Sequence, residues 1–188
     1  MADPSLSARR ALRDRTADLH AALDARLAAT DFDDAASYAA FLRAQAPALF
    51  ALEEMIEAAP LASIGDWPAR RRAPAMRADL QLLGRAAPPP AESPAFENDA
   101  LIGALYVLEG SRLGARHLVR VARASREPLI RAATAFLAHG EAEPFWPGFL
   151  HFLKRREAQG LDAEALVAGA RGAFGLFLAG AEAALQPP

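Results

Sequence analysis

The longest helical pattern in this sequence, from about Ala95 to Ala124, most constrains what the chain can fold into. Its centre reads GALYVLEGSRLGARHL and carries glycine at positions 103, 110 and 114. A glycine inside a helix costs about 0.5–1 kcal/mol relative to alanine, because its backbone has more freedom to lose. Alanine is abundant in this chain, so three glycines in one helix indicate positions where a side chain is unwanted.

Gly110 and Gly114 are four residues apart and therefore lie on the same face of this helix. Without Cβ atoms, that face is a strip of bare backbone. Two uses of the strip are open from the sequence: a neighbouring helix packs very close to it, or a flat ligand lies against the backbone. Gly103, seven residues before Gly110, either extends the strip or packs against another element.

The composition favours helices along the whole chain. Of the 188 residues, 53% are hydrophobic and 23% are charged, alanine and leucine dominate, and β-branched residues are sparse. This composition predicts an all-α protein, a bundle of about seven helices without strands. The length, and the absence of a long linker or a repeat of fixed period, predict a single domain over residues 1–188.

Capping residues and helix breakers place the other helices. Ser5 or Ser7 begins a first helix that runs to about Ala29, and leucines spaced three and four apart mark its buried face. A second helix is predicted from about Ala35 to Ala58, capped by Asp33 or Asp34, and a third from about Ala69 to Leu83, followed by Gly84. After the glycine-bearing helix, a helix capped by Ser125 is predicted over SREPLIRAATAFLAH. A short helix that ends at Gly160 and a last helix capped by Asp162 complete the set.

Charge and cysteine usage exclude several classes of protein. The formal net charge of -2 gives no reason to expect a nucleic-acid partner. The chain has no cysteine, which excludes disulfides, iron–sulfur ligation and zinc–thiolate sites. The first residues contain no apolar signal region, and no uncharged apolar run approaches the roughly 20 residues that span a bilayer. These observations predict a cytoplasmic protein without a membrane partner.

His20 is the histidine with the most informative surroundings. It lies in LRDRTADLHAALDARL, one step from the leucine face of the first helix, and Asp24 follows it by one helical turn. A carboxylate in that position can accept a hydrogen bond from one ring nitrogen, which fixes the tautomer and leaves the other nitrogen free to bind a metal. The spacing alone leaves open an ordinary satisfied or exposed histidine.

Together, the histidine segment and the glycine segment resemble bacterial heme oxygenases, of the kind often found alongside bacteriophytochromes. LRDRTADLHAALD is similar to the opening helix of that family, which carries the proximal heme-ligand histidine. LYVLEGSRLGARHL is similar to the distal-helix motif, in which glycines lie over the heme. The resemblance implies a heme-oxygenase-like helical bundle.

Carried over to this sequence, the resemblance implies a role for each matching residue. His20 would be the axial iron ligand, with Asp24 as its hydrogen-bond partner, and Gly110 and Gly114 would lie above the heme. Ser111 falls where some members carry an aspartate that organises distal water, although serine in EGS is common in the bacterial branch.

Three further positions concern the rim and the depth of the implied site. Arg155 falls near a position that holds a basic contact to a heme propionate in relatives, and arginine binds carboxylates through two hydrogen bonds. Arg13, seven residues before His20 on the same helical face, is a second propionate candidate. Ala115 stands where the usual family pattern has a second glycine, and its methyl group is the one departure from the motif.

The resemblance also implies the reaction and its partners. Heme would be both substrate and cofactor, and with O₂ and reducing equivalents it would be cleaved to biliverdin, CO and ferrous iron. The electrons imply a donor such as a ferredoxin or a reductase. A bacteriophytochrome is the implied receiver of biliverdin.

Two alternatives to an active heme oxygenase are open. The first is a heme-oxygenase-like module that binds heme or a tetrapyrrole without turnover, for which Ala115 is the only hint. The second is another activity on the same helical scaffold. Thiamin-salvage hydrolases of this kind use a cysteine, which this chain lacks, and diiron proteins need Glu and His pairs that His139 and His151 do not supply.

Two further groups of residues receive structural interpretations. The run Arg70–Arg72 is interpreted as the solvated start of a helix. The aromatic residues near the C-terminal third are interpreted as core and not as the wall of a ligand site; they are Phe145, Trp146, Phe149, Phe174 and Phe177.

Overall fold

The computed structural model of the chain describes residues 7–59, 66–93 and 95–185. Within these residues it contains nine helices and no strand, which confirms the all-α prediction. Three of the nine are short, with four or five residues each. The helices are α1 (Ala8–Leu27), α2 (Ala35–Ala58), α3 (Trp67–Arg70), α4 (Ala73–Leu82), α5 (Asn98–Ala124), α6 (Pro128–Ala132), α7 (Ala135–Ala138), α8 (Phe145–Ala158) and α9 (Ala163–Ala184).

Side-chain caps begin three of the long helices at the predicted residues. Ser7 accepts a hydrogen bond from the backbone N–H of Arg10 at the start of α1. Asp34 caps α2, and Asp162 caps α9 by accepting two backbone N–H groups. The alternative cap Ser5 lies outside the described residues. Each cap satisfies N–H groups that have no partner inside the helix.

Two predicted helices are each broken into two. The helix expected over residues 69–83 is α3 and α4, separated at Arg71, whose backbone is extended. Pro74 explains this break, since its ring would collide with the carbonyl group of Arg70 in a continuous helix. The helix expected after Ser125 begins at Pro128 instead, with Glu127 as its cap, and α6 and α7 are separate short helices.

Glycines allow α5 and α9 to touch backbone to backbone at the centre of the bundle. A Cβ at Gly103 would collide with the carbonyl oxygen of Leu166, and one at Gly169 would collide with that of Ala100. Gly103 therefore packs against α9. It is separate in function from the glycines that follow it on α5, as the next section shows.

Helix α9 is the central element, and it contacts α5, α2 and α1. It is also the one helix in the described part of the chain that is long and apolar enough to cross a membrane by length and composition. Its buried residues, among them Val167, Phe174 and Ala181, pack within the bundle. A core helix of this kind passes the same length and composition test.

Helix α1 packs on α9 and α8 and lies across a gap from the middle of α5. Leu12 and Thr16 are buried, whereas Leu23 and Leu27, further along the predicted leucine face, are half-buried. Those two leucines line the gap. The predicted apolar face of α1 therefore serves two surfaces, the core at one end and the gap at the other.

Candidate functional site

The gap between α1 and α5 is a cleft of about 450 Å³. That volume falls within the range of small-molecule sites, roughly 300–1,000 Å³. The cleft is lined by Arg13, His20, Leu23, Asp24, Leu27, Phe41, Gln45, Leu49, Arg72, Tyr106, Val107, Gly110, Ser111, Leu113, Gly114, Ala115, Leu118, Phe136, Leu137, Trp146, Phe174 and Phe177.

One wall of the cleft carries an imidazole with a carboxylate behind it. His20 Nδ1 lies 2.9 Å from Asp24 Oδ2, one turn further along α1. The ring of His20 packs edge-on against Phe174 of α9, with 5.8 Å between the ring centroids. Because Nδ1 is engaged by the carboxylate, Nε2 is the nitrogen available as a ligand.

The opposite wall is the bare face of α5. A Cβ at Gly114 would meet no atom within 4 Å, and one at Gly110 would reach only ordinary contact with Trp146, at 3.7 Å. Protein packing therefore does not require glycine at either position, in contrast to Gly103. The strip leaves room in the cleft itself, which favours the ligand explanation of the two that the sequence left open.

Ser111, between the two glycines, is held by a buried arginine. Arg72 Nη2 donates to Ser111 Oγ at 2.9 Å and to the carbonyl oxygen of Leu108 at 2.9 Å. The Ser111 hydroxyl in turn donates to the same carbonyl at 2.8 Å. Burial, and then the positive charge of nearby Arg112, lower the pKa of Arg72 to about 10. At neutral pH Arg72 is a fixed cation on the wall of the cleft.

The interpretation of Arg70–Arg72 as a solvated helix start is wrong for two of its three residues. Arg70 is 4% exposed and Arg72 is 3% exposed, whereas Arg71 reaches the surface and pairs with Glu57. Arg70 bonds to Asp66 at the start of its own helix and to Glu109 of α5, and Arg72 bonds to Leu108 and Ser111 of α5. A run of three arginines gives no sign in the sequence of which members turn inward.

Behind the glycine face, a buried carboxylate joins α5 to the segment before α4. Arg70 Nη1 donates to Glu109 Oε2 at 2.7 Å, and Arg112 donates to both oxygens of Glu109. Arg112 Nη1 also donates to His139 Nδ1 at 3.2 Å. The network fixes the rotation of α5 about its axis and so the direction in which its bare strip faces.

The cleft is also lined by apolar and aromatic side chains from three further helices. Phe136 and Leu137 of α7, Trp146 of α8, and Phe174 and Phe177 of α9 line it. Phe174 and Phe177 are also members of the buried core, as predicted, but the interpretation of the aromatic residues as core alone is wrong for Trp146, Phe174 and Phe177, which also line the cleft. Aromatic residues have the same spacing in both roles, so the two could not be separated from the sequence.

The structure brings most of the predicted site residues together. His20, Asp24, Gly110, Ser111 and Gly114 all line the cleft. They come from two helices that are far apart in the sequence.

Two of the three residues predicted at the rim and depth of the site also reach the cleft. Arg13 lines it with a largely exposed side chain, 3.0 Å from Asp14. Ala115 lines it as well and is buried. Arg155 is not among the lining residues; it is exposed on α8, with its guanidinium 6.0 Å from the ring of Phe152.

Comparisons with protein families, with curated proteins and with solved structures all match this chain to heme oxygenases. The family model described as "Heme oxygenase" matches residues 6–182. The chain is 36% identical over 149 residues to a heme oxygenase of Xanthomonas campestris pv. campestris (strain 8004), covering 77% of this chain and 88% of that relative. Its structure is similar to that of a heme oxygenase from Neisseria meningitidis solved with NO and CO bound, with a TM-score of 0.77 at 26% identity, over 96% of this chain and 93% of the other.

Proposed function

The chain belongs to the heme oxygenase family, and we propose that the cleft between α1 and α5 is where it binds and degrades heme. The observation that carries this assignment is the pair of glycines opposite His20. A side chain at Gly114 would point into open space, so the glycine is explained by something that lies against α5 and not by the protein itself.

The residues present fit heme as the substrate. The imidazole on α1 suits the iron, the bare strip on α5 suits a flat macrocycle, and the apolar side chains of the lining suit its hydrocarbon edge. Heme, when bound, supplies the iron at which O₂ is activated and the ring that is cleaved to biliverdin, CO and ferrous iron. These residues therefore support both the binding and the cleavage of heme in this cleft.

Each wall has a distinct part in the reaction. Asp24 engages Nδ1 of His20, which fixes the tautomer of the ring and would leave Nε2 as the nitrogen that holds the iron. Gly110 and Gly114 leave space next to the backbone, which would admit O₂ beside the bound heme. Ser111 accepts from Arg72 and donates its own hydrogen to Leu108, so its oxygen has one lone pair left that can accept a hydrogen bond from water at the edge of this space.

A hemin titration of wild type against His20→Ala tests the site. We expect a complex with a Soret band in the wild type, and a weakened or differently ligated complex in the variant. His151→Ala is the matched control, since His151 is exposed on α8 and does not line the cleft. Equal hemin affinity and equal spectra in wild type and His20→Ala would refute the assignment of the ligand.

Turnover separates an active enzyme from a module that only binds heme. With hemin bound and ascorbate or a reductase supplied, we expect the Soret band to disappear as biliverdin forms. A stable Soret band under these conditions would support the binding module instead. Replacing Ala115 by glycine, which restores the usual motif, then tests whether its methyl group limits turnover.

For the propionate groups we propose Arg13, because it is the cation at the exposed rim of the cleft on the same helix as His20. Burial raises the pKa of Tyr106, which also lines the cleft, and the positive charges of Arg9 and Arg13 partly offset that rise. Both cations are therefore close to Tyr106. Arg13→Gln is expected to weaken hemin binding more than Arg155→Gln, because Arg155 does not reach the cleft in this structure.

We propose that an acidic electron donor, a ferredoxin or a reductase, docks beside the cleft on the exposed side of α5. Leu113 and Val121 are two of the few exposed large hydrophobic residues. Between them lie Arg116 and Arg120, neither of which forms an ion pair with any residue whose placement is described. Arg116→Glu combined with Arg120→Glu should raise the KM for an acidic donor and leave the hemin affinity unchanged.

We further propose that the protein works in the cytoplasm and passes biliverdin to a bacteriophytochrome. The support for the location is that α9, the apolar helix, packs against α1, α2 and α5 within the bundle. The support for the receiver is the resemblance of the α1 and α5 motifs to the bacteriophytochrome-associated type. The second point is tested by adding an apo-bacteriophytochrome to the reaction and measuring the red absorption of the phytochrome as it takes up biliverdin.

A further inference from the structure

Two buried side chains hold the backbone segment that leads into α7. Asp79 of α4 has no exposed surface, and its two carboxylate oxygens accept the backbone N–H groups of Ala135, at 3.0 Å, and Phe136, at 2.8 Å. Tyr38 of α2, also fully buried, donates its hydroxyl to the carbonyl oxygen of Ala133 at 2.8 Å. The segment is thus fixed at both ends from two different helices.

The carboxylate replaces a cap that α7 lacks. Thr134 stands at the N-cap position of α7 and makes no side-chain capping bond. Asp79, from 56 residues earlier in the chain, satisfies the first two N–H groups instead. Burial raises the pKa of Asp79, and the two hydrogen bonds oppose that rise. A buried carboxylate is retained only where such partners offset its lost hydration.

The segment that Asp79 holds carries part of the cleft wall. Phe136 and Leu137, the next residues of α7, are 5% and 4% exposed, and both line the cleft. The guanidinium of Arg72, which holds Ser111, lies 5.2 Å from the centre of the Phe136 ring. A displacement of α7 therefore moves the apolar wall and the support of the Ser111 hydroxyl together.

We propose that Asp79 is a positioning residue for the reaction: by fixing α7 it sets where Phe136 and Leu137 stop the macrocycle, and so which ring edge lies beside the glycine strip. This inference rests on the proposed function of the cleft. A flat ligand between two walls can rotate in its own plane, and only contacts at its edge prevent that rotation. Displacements of about 1 Å at such contacts reduce reaction rates by about 100-fold.

Asp79→Asn is the variant that tests this role, since it keeps the shape and replaces one acceptor oxygen by an N–H donor aimed at a backbone N–H. Asp99→Asn is the matched control. Asp99 is likewise buried and accepts a backbone N–H, that of Asp162, at 2.8 Å, together with Arg156, but it does not line the cleft. Both variants should lower the melting temperature.

Only Asp79→Asn should change how hemin binds and which biliverdin isomers form. We expect its Ala135 and Phe136 amides to exchange hydrogen about tenfold faster or more, and its hemin Kd to rise about tenfold. We also expect a mixture of biliverdin isomers where the wild type forms one main isomer. In Asp99→Asn the hemin Kd and the isomer distribution should equal those of the wild type.

Several outcomes would overturn the proposal. One is faster exchange of the two amides with a hemin Kd and isomer distribution like those of Asp99→Asn, because Asp79 would then be structural only. If Asp79→Asn does not fold, Tyr38→Phe replaces it and removes one bond to the same segment; an unchanged Kd and isomer distribution there would overturn the proposal equally. A wild type that binds no hemin would refute the proposed function, whereas the amide exchange would still show whether Asp79 holds the backbone of Ala135 and Phe136.

Discussion

The Nη1 atom of Arg70 lies 2.7 Å from Oε2 of Glu109, and these two side chains are 4% and 1% exposed. The pair links the segment just before α4 to the helix that carries the glycine strip. Arg112, one turn along α5, pairs with the other oxygen of Glu109 at 3.1 Å. Glu109 therefore pairs with both buried guanidiniums behind the cleft, and Asp66 provides a second carboxylate for Arg70.

Glu109→Gln should be strongly destabilising. Removing the negative charge leaves Arg112 without this carboxylate and Arg70 with Asp66 alone, and breaking a buried ion pair costs about 3–5 kcal/mol in comparable cases. Urea denaturation measures the change in the free energy of unfolding. Glu57→Gln, which breaks the more exposed pair with Arg71, is the control and should have a much smaller effect. A Glu109→Gln variant as stable as the control would contradict the importance given to this network.

Substitution by alanine should separate the packing glycine from the cleft glycines. Gly103→Ala places a Cβ against the carbonyl of Leu166, so it should disrupt the contact of α5 with α9 and lower stability sharply. Gly114→Ala meets no protein atom and should gain about 0.5–1 kcal/mol of helix stability, yet weaken hemin binding. Gly175→Ala on α9 also meets nothing and should leave hemin binding unchanged. Thermal unfolding and hemin titration measure the two effects; equal hemin affinity in Gly114→Ala and Gly175→Ala would argue against the cleft assignment.

Local patterns were sufficient for much of the fold and for two walls of the cleft. The bounds of α2 and the caps at Ser7, Asp34 and Asp162 follow from helix periodicity and cap chemistry, and the structure confirms them. His20 with Asp24, and Gly110 with Gly114, are i, i+4 relationships, so a single helix already contains them. The one-domain organisation stays a prediction.

Features that depend on packing between distant segments were not accessible in the same way. Arg72 reaches Ser111 across 39 residues, and Asp79 reaches Phe136 across 57. Nothing in the spacing of three consecutive arginines indicates that the first and third turn inward. The break before α4 was visible in principle, since Pro74 carries the signal that ends the preceding helical turn.

His139 makes the stability of the fold depend on pH. Burial, and then the positive charges of Arg112 and Arg72, lower its pKa to about 4, so the folded protein holds the ring neutral. The unfolded chain, with a pKa near 6.5, binds a proton first as the pH falls. The stabilisation is therefore complete above about pH 6.5 and is lost progressively as the pH falls toward 4.

His139→Asn removes this titration and keeps an acceptor for Arg112. Between pH 7 and pH 4.5 the wild type should lose about 2 kcal/mol more of its free energy of unfolding than the variant does, since one pKa unit is worth about 1.4 kcal/mol and partial exposure reduces the full effect. Urea denaturation across this pH range measures the difference. His117→Asn, at an exposed position of α5, should follow the wild type. Parallel pH profiles for wild type and His139→Asn would contradict the prediction.

Exposed ion pairs fasten α1, which carries His20, to α9. Arg171 of α9 donates to both oxygens of Asp18, at 2.9 and 3.1 Å, and to the carbonyl oxygen of Arg15. Arg15 pairs in turn with Glu164 at 2.6 Å. The hydrogen bonds from Arg171 hold the pKa of Asp18 below its usual value. Few residues of α1 are buried, so these pairs contribute a larger share of its attachment than exposed pairs usually do.

Arg171→Met should therefore loosen α1 while leaving the bundle folded. We expect little change in the melting temperature and a hemin Kd that is raised about two- to fivefold at low salt. The hemin Kd of the variant should also depend less on salt than that of the wild type, because 0.5 M salt screens the ion pair in the wild type and the variant has no pair to screen. Arg123→Met breaks an equally exposed pair with Glu141, away from α1, and should leave the hemin Kd and its salt dependence unchanged. Hemin titrations at low and high salt measure both variants, and an Arg171→Met variant that matches Arg123→Met at every salt concentration would show that the ion pairs do not hold His20 in place.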